Sequence, residues 1–88
     1  MNESSLIEIT NLYRASILFL LLPEMPIKWR FVNPNVVFQF PATDAVIDIL
    51  NRYDADEITV NAASFGKVIA RTRGLMLNAK AQAQRGNT

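Results

Sequence analysis

Neither cysteine nor histidine occurs among the 88 residues of this chain, and the two absences exclude whole classes of chemistry. Without thiols there are no disulfides, thiolate clusters or cysteine nucleophiles. Without imidazole there are no zinc sites of the usual kind, no Ser-His-Asp triads and no histidine acid–base catalysis within one chain. Glycine is scarce as well. Gly66, Gly74 and Gly86 lie too far apart to form a phosphate-cradling loop. Only 19% of the residues are charged and the net charge is +1, so no global field draws in nucleic acid or an anionic membrane. Any such attraction must come from local patches. The one acidic cluster, Asp54, Asp56 and Glu57, has neither a turn glycine nor EF-hand spacing, and reads as a solvated loop at a helix end. No metal, cofactor or enzymatic activity is expected.

Long apolar runs are also missing. The longest, Ile17 to Leu22, stops at Pro23, whereas a membrane span needs roughly 20 apolar residues. Glu3 and Glu8 stand where a signal peptide would be basic, and Pro23 and Pro26 follow in place of a cleavage motif. The expectation is a soluble, cytoplasmic protein with no membrane partner.

What is present is a foldable apolar pattern: half the residues are hydrophobic, enough for one globular domain over residues 1–88. The organising stretch is Pro26 to Phe40. Two β-prone runs flank Asn33-Pro34-Asn35, where Pro34 fixes φ and Asn35 tolerates the left-handed region. Ile27, Trp29 and Phe31 share one face of the first run, and Val36, Phe38 and Phe40 one face of the second. A turn centred on Pro34-Asn35 pairs Phe31 with Phe38, Trp29 with Phe40 and Arg30 with Gln39, giving a single aromatic face.

The predicted fold class is α+β: a small antiparallel sheet built on a central hairpin at about 26–33 and 36–41. Short strands near 6–9 and 57–60 extend it, and three helices at about 11–22, 44–53 and 62–80 pack against it. Thr10 or Asn11, Thr43 and Asn61 are the candidate N-caps. Helix 44–53 is expected to bury Val46, Ile47, Leu50 and Tyr53, with Asp48 and Arg52 outside as an i,i+4 pair. The last helix carries the apolar stripe Phe65, Val68, Ile69, Thr72, Leu75, Met76 and Ala79. Gly66 and Gly74 disfavour that helix by about 1 kcal/mol each against Ala, which suggests close packing. Met1–Ser5 reads as a frayed start and 81–88 as a disordered tail. Glu8-Ile9-Thr10 and Glu57-Ile58-Thr59 enter helices in the same way, which suggests similar strands beside the hairpin.

The run Asn11-Leu12-Tyr13-Arg14-Ala15-Ser16-Ile17-Leu18 resembles the first helix of a small family of uncharacterised bacterial and phage domains, a domain of unknown function. Val37-Phe38-Gln39-Phe40 with the helix ending Asn51-Arg52-Tyr53, and Val60-Asn61-Ala62 with Phe65, continue the resemblance over about residues 8 to 77. These are mostly packing positions. Leu20–Pro26 departs from the pattern, being more apolar and richer in proline. The resemblance implies this architecture and a phage or mobile-element origin, and it brings no activity or site residues.

Two functional readings follow from the residues. The first helix is apolar nearly all round from Phe19 through Leu20, Leu21 and Leu22, which predicts a homo-oligomer that covers it; the alternative is that Leu20 to Leu22 wrap under the loop Pro23–Pro26. The first reading is a non-enzymatic module that binds an anionic ligand, a nucleotide or nucleic acid, near such an interface and sequesters it. Lys67 and Arg71, a helical turn apart, would hold it with Arg30 as a third cation. The second reading is a protein-interaction or inhibitor module that sets the apolar first helix against a partner such as a host protein, with no small ligand.

Overall fold

Alternation along the first half of the chain builds a three-stranded antiparallel sheet in the order β1-β3-β2. The computed structural model describes residues 5–86, and its elements run β1 (Leu6–Ile9), α1 (Leu12–Leu21), β2 (Lys28–Val32), β3 (Asn35–Pro41), α2 (Asp44–Asp54) and α3 (Ala62–Gly86). The α+β class holds. Residues 1–4 of the expected frayed start, and residues 87 and 88 of the expected tail, lie outside the described residues.

The hairpin keeps its face parity but shifts its register by two residues. Trp29 pairs with Phe38, Phe31 with Val36 and Arg30 with Val37, around a two-residue turn at Asn33-Pro34. Pro34 therefore takes the second central position, following a cis peptide bond, and not the first. Because the shift is even, Phe31, Phe38 and Phe40 still face the helices. Ile7 and Ile9 join them from β1, opposite Phe40 and Phe38. Trp29 differs. It stands on the edge strand β2 and keeps 37% of its surface exposed.

The helices begin where side chains can satisfy their first N–H groups. Asn11 Oδ1 accepts from the N–H groups of Tyr13 at 2.9 Å and Arg14 at 3.0 Å. Thr43 Oγ1 accepts from Val46 N–H, and Asn61 Oδ1 from Ser64 N–H. α2 buries Val46 and Leu50 but leaves Ile47 42% exposed, because Ile47 lies about 100° round the helix from Val46, away from the core. Helix α3 does not end near residue 80 but continues through Gly86, so 81–86 are helical where a disordered tail was expected.

Glu57 to Val60 is not a strand. Ile58 and Val60 are half-buried against the core, and Ile58 lines a cleft with Leu21 and Ile49. Side-chain packing against helix ends holds this segment, and it finds no partner in the sheet. β-propensity alone does not make a strand where no pairing edge is offered.

The largest correction concerns α1. Ala15, Ser16, Ile17, Leu18 and Phe19 are all buried by the chain itself. α1 packs against α2 and α3, and the Phe19 ring meets the sheet, edge-on to Phe38 at 5.4 Å and tilted on Phe40 at 5.3 Å. Leu20, Leu22 and Met25 pack, partly buried, on the same core, while Leu21 stays exposed. A helix apolar all round is here the interior helix of the domain.

Candidate binding surfaces

The predicted site residues separate into three places. Arg30 lies on the sheet face turned away from the helices, where Nε and Nη2 donate to the two carboxylate oxygens of Glu8 at 2.6 and 2.8 Å. Gln39 Nε2 adds a third hydrogen bond to Glu8 at 3.1 Å. Glu8 belongs to β1 and Arg30 to β2, so the bridge straps the two edge strands together across β3. Val37 lies beneath it and is only 7% exposed, although no helix covers that face. The Arg30 hydrogen bond, helped by Gln39, holds the Glu8 carboxyl down at about 2, against 4.5 for an ordinary glutamate. Arg30 is thus committed to an internal partner. It also lies across the sheet from the other two cations, so the structure does not bring the expected trio together.

Lys67 and Arg71 stand exposed on α3, a helical turn apart as expected. They belong to a larger feature. α3 also carries Arg73, Lys80 and Arg85 and contains no Asp or Glu; all eight acids of the chain lie at or before Glu57. At 100° per residue, Lys67 and Arg71 flank one side of the outward face and Arg73 and Lys80 the other. Between the two rows runs a ridge of Gly66, Ala70, Gly74, Leu77 and Ala81. Leu77, 62% exposed, is the most exposed large apolar side chain among the described residues. No heavy atom lies within 4 Å of where a Cβ would sit on Gly66 or Gly74, so internal packing does not account for these glycines. Lys67, Arg71, Arg73 and Lys80 take part in no ion pair among the described residues.

The expected interface residues divide. Phe19 is core, and Leu20 and Leu22 are half-buried on it. Leu21 alone stays outside, 39% exposed, and lines two clefts. One, of about 400 Å³, is a largely apolar corner formed with Leu22, Pro23, Met25, Pro41 and Ala45. The other, of about 360 Å³, sets an apolar floor of Leu21, Ile49 and Ile58 between Asp48, Arg52 and Glu57. Arg52 pairs there with Asp48 at 3.1 Å. Asp54 is paired with Arg14, and no group of three or more acids among the described residues could hold a metal ion.

Helical spacing alone sets Arg73 and Lys80 beside Lys67 and Arg71 without making them part of the expected site, and it gives no role to Leu77 or to the acidic cleft. The signal that finds them is the break in charge after Glu57. No helix among the described residues is long and apolar enough to cross a membrane. Set against family models, curated proteins and solved structures, the chain gives no match in any of the three comparisons.

Proposed function

We propose that the chain is a small non-enzymatic binding module that takes an anionic ligand, a nucleotide or a nucleic acid strand, on the outward face of α3. The observation that carries this reading is the row of exposed, unpaired cations Lys67, Arg71, Arg73 and Lys80 on a helix without a single acid. Phosphate oxygens replace the missing counter-charges, and a guanidinium grips them in two-pronged fashion where an ammonium acts as a point charge. Arg71 therefore matters more than Lys67, and Arg30 is left out because Glu8 already occupies it. Sequestration of the ligand in the cytoplasm, and a phage or mobile-element origin, belong to the same proposal; the origin rests on the family resemblance.

Calorimetric titration with mono-, di- and cyclic nucleotides and with short oligonucleotides tests it. Binding should weaken with added salt, and more for Arg71→Ala than for Lys67→Ala, while neither change shifts stability by more than about 0.5 kcal/mol. No heat from any of these probes sinks the reading.

The apolar corner cleft beside Leu21 favours a second reading, a protein-interaction module with no small ligand. Pocket shape and apolar lining suit a side chain from a partner better than a phosphate. A protein that purifies without any component absorbing near 260 nm, and that loses its partner on Met25→Glu, is the expected outcome for that case.

A further inference from the structure

The acids of residues 44–57 and the cations of α3 lie on different elements. Residues 44–57 contain Asp44, Asp48, Asp54, Asp56 and Glu57 against a single Arg52, whereas α3 is wholly basic. α1 packs against both α2 and α3. Among the described residues, no ion pair joins the acids of 44–57 to Lys67, Arg71, Arg73 or Lys80. Apolar groups correspond as well as charges. On α3, Leu77 projects from the ridge with Arg73 one turn before it and Lys80 one turn after. On α2, the cleft of about 360 Å³ offers an apolar floor of Leu21, Ile49 and Ile58 with Asp48 and Glu57 at its walls.

We infer that the occupant of this cleft is a second copy of the same chain. Leu77 of one copy enters the Leu21–Ile49–Ile58 floor of the other, and Arg73 and Lys80 meet Glu57 and Asp48. Arg52 stays with Asp48 at the rim and limits the attraction, while Asp44 and Asp56 nearby keep the surroundings acidic. Ile47, exposed on α2, is available to cover part of the same contact. This differs from self-association through the interior of α1: the surfaces are already exposed in the folded chain, and no core residue has to leave its place. It goes beyond the anion-binding reading and stands without it, although both use α3, so an oligonucleotide would compete with the second copy.

Sedimentation equilibrium of the full chain without added ligand tests the inference. The parent should associate in low salt and dissociate in molar salt. Asp48→Lys with Glu57→Lys should weaken association about tenfold or more, and so should Arg73→Glu with Lys80→Glu. Mixing the two reversed variants should restore a salt-sensitive complex that neither forms alone. Circular dichroism confirms that each is folded. Should either pair fail to fold, Leu77→Asp, which changes a side chain already in solvent, gives the same reading as loss of association. The inference is overturned by a parent that stays monomeric at all salt concentrations, by association that the reversals do not touch, or by a mixture that is not restored. Oligonucleotide binding by a strictly monomeric parent overturns it while leaving the anion-binding reading intact. Charge-dependent association with no response to any anionic probe does the reverse.

Discussion

Phe38 lies at the centre of β3, fully buried, with Trp29 and Ile9 beside it on the two flanking strands and the Phe19 ring edge-on from α1. Truncation to Ala leaves a cavity that neither the sheet nor α1 can close. Phe38→Ala should destabilise by roughly 3–5 kcal/mol in chemical denaturation, a large part of what a small domain possesses; a midpoint close to that of the parent would contradict the face assignment. At Glu8 the effect is electrostatic. Its folded-state carboxyl is held at about 2, below its unfolded value of 4.5. The stability linked to it is therefore complete above about pH 4.5 and is lost as pH falls from there through about 2. Glu8→Gln should flatten that part of the stability–pH curve and leave neutral-pH titration behaviour alone, as thermal melts across the acid range will show. Alternation placed Phe38 correctly, since parity survives any even shift of the turn. It could not supply the Glu8–Arg30 strap, because nothing in a single strand's pattern says which strand lies on its far side.

Among the elements, α1 and α3 show opposite limits to what a sequence reveals. The apolarity of Phe19 to Leu22 was legible, but whether it is covered by the same chain or another depends on where α2, α3 and the Pro23–Pro26 loop fall. The core takes in Phe19 and half-buries Leu20 and Leu22, while Leu21 stays exposed. For α3, the stripe from Phe65 to Ala79 predicted the inner face well, while the glycines pointed the wrong way. Gly66 and Gly74 sit on the outward side with negative φ and no neighbour to crowd a side chain. Each exposes helix backbone and loosens the unfolded chain without any compensating contact inside the molecule. Gly66→Ala and Gly74→Ala should each stabilise the protein, by up to about 1 kcal/mol, and raise the thermal midpoint. Unchanged or lower midpoints would mean that something in the native state requires the bare backbone. Glu57 to Val60 teaches a further lesson at this scale: its resemblance to Leu6–Ile9 in composition was real, but only one of the two segments meets the free side of β3.

At the scale of the whole molecule, α1 is the shared neighbour of every layer, meeting the sheet through Phe19 and the other two helices along its sides. No layer can leave without exposing it. Heating should therefore produce a single transition in which Trp29 fluorescence and far-ultraviolet circular dichroism coincide, apart from a shallow early slope from the exposed last turns of α3. A fluorescence midpoint well below the helical one would show instead that the hairpin melts by itself. Among the described residues both outer strands of the sheet have one open side, and there the sequence acts against a hazard of its own. β1 is only four residues long, and β2 is preceded by Pro26 and carries the charged side chains Lys28 and Arg30 on its outer face, Arg30 tied back across β3 to Glu8. A neighbouring strand seeking to add to that edge would have to bury these charges and tolerate a missing N–H donor at its start. The hairpin is thereby kept from seeding the stacked, fibre-forming sheets that so apolar and aromatic a strand pair would otherwise invite.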